Sequence, residues 1–135
     1  MKILIELPTW LGDAVMTTPA IENLSSYYDQ PEITLIGSFI SVEMLKNHPK
    51  VVKVCVLNRG YFSLYKIAKD LGNFDVYFSF RGSLRSKYLK FFISSNTKYQ
   101  FINHKYQNRH QVKKYNDFIN DSLNINNSPK RLIIY

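Results

Sequence analysis

The sequence predicts an α/β domain built on a doubly wound, mainly parallel sheet. Three observations carry that expectation. Short apolar, β-branched runs alternate five times with segments of helical spacing. Glycine, proline or asparagine punctuates most of the changes from one to the other. The chain has 135 residues and is 45% hydrophobic, enough for one domain with one sizeable core. Right-handed crossovers would wind such a chain on both faces of the sheet.

The elements follow in order. Lys2–Leu7 is apolar enough for a buried central strand and ends at Pro8. A helix is expected over about residues 14–28, with Asp13 as its N-cap and Val15, Pro19, Ile21, Leu24 and Tyr28 on its apolar spacings. Pro19 inside that run should kink the helix or mark a break. Ile33–Ile36 is a second strand, closed by Gly37, with a short helix at about 40–46 after it. Pro49 introduces a third strand, Val51–Leu57, and Asn58-Arg59-Gly60 is a turn. A helix at about 61–71 ends on Gly72-Asn73 as a C-cap. Asp75–Phe80 is a fourth strand, followed by a helix at about 83–93. Lys98–Ile102 is a fifth strand, and a last helix spans about 109–123. Asn124–Pro129 is loop-like, and Arg131–Tyr135 begins something extended, as if the first domain of a longer enzyme ran on.

Composition narrows the function classes. No apolar run approaches the roughly 20 residues that span a bilayer. The N-terminal run, with Glu6 inside it, lacks a signal-peptide cleavage site. These features suit a cytoplasmic protein. A single cysteine, Cys55, excludes an intrachain disulfide framework, and its apolar neighbours read as a buried thiol. The net charge is +8, which favours anionic partners, although an AT-rich coding sequence would enrich the same lysines. Its distribution says more. No acid falls between Asp75 and Asp117, a stretch holding Arg81, Arg85, Lys87, Lys90, Lys98, Lys105, Arg109, Lys113 and Lys114. One side of the domain should therefore carry a positive field.

In open α/β sheets, ligands bind beyond the carboxyl ends of the strands. Three loops should lie there: Pro8–Asp13, Asn58–Gly60 and Arg81–Arg85. Glycine fingerprints for dinucleotides or a P-loop are absent, as is a metal-ligand spacing among His48, His104 and His110. Asp13 has two readings. As an N-cap it needs only an oxygen that accepts a backbone N–H, and periodicity alone favours that role. As a general base it would be ionised but weak, able to act late as a sugar hydroxyl acidifies during attack. Gly12 permits either a sharp turn or a close ligand. Trp10 stacks on a sugar or packs inside. Arg81 and Arg85 flank a helix start at Ser83, an arrangement suited to an anion or equally to a solvated basic face. The run 87–93, KYLKFFI, reads first as an amphipathic core helix and second as a membrane-touching one.

The stretch PTWLGDAVMTTPAIENL, residues 8–24, resembles the lipopolysaccharide heptosyltransferases of glycosyltransferase family 9. The shared features are the strand at the start of the chain, Thr9, Gly12-Asp13 and Thr18-Pro19; Pro8-Thr9-Trp10 looks more like the second heptosyltransferase of the inner core. Phe74–Ser86 and Arg109–Val112 with Tyr115 are weaker matches.

The resemblance implies the N-terminal half of a GT-B enzyme made of two Rossmann-like domains. Residues 1–123 would form the acceptor-binding domain and 124–135 the start of an interdomain linker. The C-terminal domain, which holds most of the ADP-heptose donor, would lie outside this sequence. Asp13 falls on the family's catalytic aspartate, with capping as its second job. Thr9, Trp10, Gly12, Arg81, Ser83 and Arg85 are the implied acceptor-binding residues. No cofactor or metal is expected. The implied partners are a lipid-anchored, anionic Kdo/heptose–lipid A acceptor and a sugar nucleotide, with peripheral contact at the cytoplasmic face of the inner membrane. Two alternatives remain: a basic α/β module for nucleic acid or polyphosphate, and a family-9 transferase of another sugar. The module lacks a nucleic-acid-recognition motif, which weighs against it.

Overall fold

A computed structural model describes residues 1–58 and 60–129. Five strands form one sheet in the order β3-β2-β1-β4-β5, and every pairing is parallel. They are β1 (Lys2–Glu6), β2 (Glu32–Gly37), β3 (Val51–Val56), β4 (Asn73–Ser79) and β5 (Ser94–Gln100). The helices are α1 (Leu11–Met16), α2 (Thr18–Tyr27), α3 (Phe39–Leu45), α4 (Tyr61–Leu71), α5 (Leu84–Phe92) and α6 (Gln111–Leu123). The α/β, doubly wound expectation holds.

The period of two along a strand explains the two layers. Ile3, Ile5 and Leu7 of β1 and its exit, with Val76, Phe78 and Phe80, enter the core shared with Ala20, Ile21 and Leu24 of α2 and Tyr115, Phe118 and Ile119 of α6. Leu4 and Tyr77 face the other way, onto Leu64 and Ala68 of α4 and Leu89 of α5. Each such apolar side chain stabilises by roughly 1.5–3 kcal/mol when fully buried. β1 is flanked on both sides, which is why its sequence is so apolar. After β3 the chain crosses to the far side of β1, so the strand order reverses between β1 and β4. In open α/β sheets ligands bind at such a switch point, beyond the carboxyl ends of the strands.

The structure revises several boundaries. The expected helix over 14–28 is two helices with a break at Thr17, and Pro19 lies in the first turn of α2, where no backbone N–H is needed. The Thr17 hydroxyl donates to the Ala14 carbonyl (2.6 Å) and the Thr18 hydroxyl to that of Val15 (2.8 Å), tying off the end of α1. β4 begins at Asn73, directly after Gly72 (φ 83°), the C-cap. The Asp75 carboxylate accepts the Lys2 N–H there (2.7 Å), at the opposite end of the sheet from the strands' carboxyl ends. β5 occupies 94–100, not 98–102, because its polar residues are recruited by the ladder to β4 rather than by burial. A 3₁₀ turn, Asn103–Tyr106, was not expected; its Tyr106 ring stacks on Phe101. α6 starts at Gln111, with His110 as N-cap.

Beyond α6, residues 124–129 are a loop, as expected, but a pinned one. Asn127 donates to Asn23 (2.9 Å), while Asn116 and Asn120 donate to the Asn127 carbonyl. Asn23 in turn donates to Asn116 and Asn120. Arg131–Tyr135 and Arg59 lie outside the described residues. No helix is long and apolar enough to cross a membrane among the described residues.

Candidate active site

Two turns meet at the switch point: the exit of β1 into α1, and the exit of β4 into α5. The first is held from below by α3. The Ser38 hydroxyl donates to the Thr9 carbonyl (2.7 Å), and that of Ser41 to the Pro8 carbonyl (2.5 Å). Ser38 also caps α3 through the Ser41 N–H. These serines were not singled out in the sequence, although a Ser-x-x-Ser entry to a helix is a visible capping signal.

Asp13 is not the N-cap. Trp10 occupies that position, without a side-chain bond, and Asp13 lies in the first turn of α1. Pro8 ends the strand so early that the helix is entered at Leu11. The carboxylate therefore gains the helix dipole but caps nothing. Among the described residues it has no hydrogen-bond or ion-pair partner. Its electrostatic neighbour is Tyr115 of α6. Burial, and secondarily the Asp13 charge, pushes that phenol up to about 12, against a hydrogen bond from Gln111. Tyr115 thus stays neutral near pH 7.

Gly12 is helical and needs no special φ, so the sharp-turn reading is corrected. A Cβ built there would meet nothing within 4 Å. The open side is compatible with close ligand approach. Trp10 is 74% exposed, so the internal packing role is corrected too, and its indole stands free for stacking. Thr9 is half-buried beside it.

The second turn is built around a carboxylate that the sequence reading passed over. Glu6, the last residue of β1, is 1% exposed. Its Oε1 accepts from Tyr77 (3.1 Å), Ser79 (2.7 Å) and Ser86 hydroxyls, and its Oε2 lies 3.8 Å from the Arg81 guanidinium. An acid in an otherwise apolar strand was the available signal. Burial together with the Glu6 charge holds Tyr77 far above its ordinary range, so it stays a donor. The Arg81 carbonyl is fixed by Gln100 (3.1 Å), and Ser83 caps α5 by accepting the Ser86 N–H (3.2 Å). Gly82 allows this tight passage: a Cβ there would sit 3.0 Å from the Phe101 carbonyl. The anion expected near Arg81 is thus supplied in part by the protein itself. Arg85 has no such partner among the described residues.

The third loop is only partly described. Asn58 bonds Ser63 (3.1 Å), and Gly60 is the N-cap of α4.

The acid-free stretch of sequence does not give an acid-free side. Asp117 and Asp121 of α6 fold back on it: Arg109 pairs with Asp117 at 2.9 Å, Lys113 lies 3.5 Å from the same carboxylate, and Tyr106 donates to Asp121. Positive charge is left chiefly along α5. Cys55 is half-buried rather than buried, on an outer strand. Partial burial still raises its pKa, with Lys53 opposing, so its thiol is a poor nucleophile. Among the described residues, no cluster of His, Cys, Asp or Glu could hold a metal ion.

The all-parallel sheet and its two helical layers define a Rossmann-like α/β domain, a fold that solved glycosyltransferases share. A glycosyltransferase of family 9 from Veillonella parvula superposes on it with a TM-score of 0.83 at 19% identity, covering 99% of this chain and 44% of that one. The Escherichia coli heptosyltransferase WaaC with ADP-2-deoxy-2-fluoro heptose gives 0.72 at 14% identity, over 98% and 51%. No family model matches the chain. The sequence is 39% identical over 127 residues to lipooligosaccharide heptosyltransferase 2 of Campylobacter jejuni, serotype O:2, which is 93% of this chain and 40% of that protein. The chain is thus a relative of the lipopolysaccharide heptosyltransferases of glycosyltransferase family 9, and it spans about 40% of the length of that curated relative.

Proposed function

We propose that this chain is the acceptor-binding half of an inverting heptosyltransferase that builds the lipopolysaccharide or lipooligosaccharide inner core in the cytoplasm. Residues 1–123 form that domain, and the loop after α6 begins a linker to a donor-binding half. One observation carries the reading: Asp13 is a carboxylate in the first turn of the helix at the switch point, with no hydrogen-bond or ion-pair partner among the described residues. A carboxylate not already bonded within the protein is what a proton acceptor requires.

In the reaction, an acceptor hydroxyl oxygen forms the new bond to the anomeric carbon of the heptose. The bond from that carbon to the ADP phosphate oxygen breaks, and ADP leaves with the electron pair. The hydroxyl proton passes to Asp13. Trp10 and Thr9 border the sugar path, and Gly12 lets the acceptor close on the helix. Arg81, Ser83 and Arg85 line the opposite turn, with Arg85 the guanidinium free for a carboxylate or phosphate of a lipid-anchored Kdo/heptose acceptor. ADP-heptose is the donor, its contacts lying mainly in the other half. No cofactor or metal enters this scheme.

The test is Asp13→Asn in the full-length protein, assayed for transfer from ADP-heptose to an inner-core acceptor. Transfer should be lost while binding of acceptor persists. Turnover at the parent rate would end the proposal for Asp13.

A further inference from the structure

The two helical layers differ in charge. The layer of α1, α2, α3 and α6 carries Asp13, Glu22, Glu43, Asp117 and Asp121 against Lys113 and Lys114. The layer of α4 and α5 carries Lys66, Lys69, Arg85, Lys87 and Lys90 against Asp70 alone. Lys98 of β5 joins the second set, its Nζ donating to the Lys90 carbonyl at 2.8 Å.

The same layer presents apolar side chains to solvent. Leu84 and Phe91 are each 77% exposed, and Phe62 is 75% exposed. Leu84 and Phe91 are seven residues apart, two turns along one side of α5. Tyr88 and Phe92 lie beside them but lean inward, packing edge-on against Tyr61 and Tyr65 of α4. The core role expected for KYLKFFI therefore applies to Tyr88, Leu89, Phe92 and Ile93. It leaves Leu84 and Phe91 unexplained. Both stand next to cations in sequence, Leu84 before Arg85 and Phe91 after Lys90.

We infer that the outer face of α4 and α5 docks on an anionic phospholipid bilayer. Lysine ammonium groups would lie among the lipid phosphates, and Leu84, Phe91 and Phe62 would enter the boundary of the acyl chains. A lipid surface fits better than a nucleic acid. The apolar tips need a partner without fixed shape, and lysine suits delocalised attraction more than the bidentate contacts arginine makes. Leu84 follows Ser83 directly, so a bilayer held on this face would also deliver a lipid-anchored acceptor at the Arg81–Arg85 turn. That consequence rests on the proposed function; the docking itself does not.

The experiment uses the full-length protein sedimented with vesicles containing no acceptor sugar. Phosphatidylethanolamine–phosphatidylglycerol vesicles should carry it down and phosphatidylcholine vesicles should not, and added salt should release it. Replacing Lys87 and Lys90 with Ala should weaken partition by roughly tenfold or more. Replacing Leu84 and Phe91 with Ser should weaken it too, without moving the melting temperature or transfer to a delipidated acceptor. Equal sedimentation of all variants would overturn the inference. So would absence of binding to anionic vesicles. A large fall in melting temperature for the Leu84/Phe91 variant would show the face buried against the rest of the protein, again overturning it. Loss of transfer in Asp13→Asn reports on the other proposal and is blind to this one.

Discussion

The two turns at the switch point look alike in sequence and differ in how they spend their polar groups. Each leaves a strand of the central pair and enters a helix with a glycine at or near its start and charge in or beside the first turn. After β4, nearly everything is committed inside the protein. Ser83 caps α5, Ser79 and Ser86 bond Glu6, and Arg81 leans toward the same carboxylate. After β1, the backbone is committed but the side chains are not. Ser38 and Ser41 hold the carbonyls, while Trp10 is exposed and Asp13 has no partner among the described residues. One turn is a rigid floor; the other presents chemistry from a rigid base. Charge alone does not separate such cases. Whether a charge is already paired does.

The sharpest way to break that contrast is Asp13→Asn. If the β1 turn carries the chemistry, kcat/KM of the full-length enzyme should fall by about 10²–10⁴-fold. Stability should change by only about 0.3–1 kcal/mol, the dipole interaction of a first-turn carboxylate. Steady-state kinetics and urea unfolding read the two effects separately.

Glu6→Ala should invert the pattern. It strips the shared acceptor from three hydroxyls and leaves Arg81 without its carboxylate, so we expect a loss of about 3–5 kcal/mol in urea unfolding. A loss under about 1 kcal/mol would mean that the network is not the floor of the site.

The arginines divide along the same line. Arg81→Ala should cost about 1–3 kcal/mol of stability, because it unpairs a buried charge. Arg85→Ala should cost less than about 0.5 kcal/mol and instead raise the acceptor KM, with the defect shrinking as salt rises. Similar stability losses in both variants would erase the distinction.

Gly12→Ala should stabilise by up to about 1 kcal/mol, since alanine suits a helix better and its Cβ meets only open space. A raised acceptor KM in that variant would show that the ligand comes this close; an unchanged KM would remove Gly12 from the site.

The smallest effect concerns Tyr115. Its phenol is raised to about 12 by burial and, less, by Asp13. A raised pKa in the folded state favours the neutral form, so this contribution to stability is complete below about pH 10 and is lost as the pH climbs through the folded value. Asp13→Asn should lower the phenol's titration midpoint slightly, followed by phenolate absorbance. No movement would place the two groups too far apart to interact.

Much of this was legible in the chain itself. The run Ile3–Ile5, uncharged between Lys2 and Glu6, needs burial on both faces, and that makes β1 central. Pro19 announced the break between α1 and α2 because a ring without an N–H is tolerated only in a first turn. The motif at residues 8–24 was enough to point to the family. These are local facts, set by backbone sterics and by the period of side chains along a strand or helix. The tertiary structure decided the rest. Asp13 lost its role as a cap because the helix starts three residues earlier, which depends on how α3 holds the turn. Glu6 found its partners on β4 and α5, more than seventy residues away. The acid-free stretch met Asp117 and Asp121 only once α6 folded back across it. Burial and charge pairing are properties of what comes together in space, and a linear pattern specifies which residues carry charge without specifying which of those charges remain free.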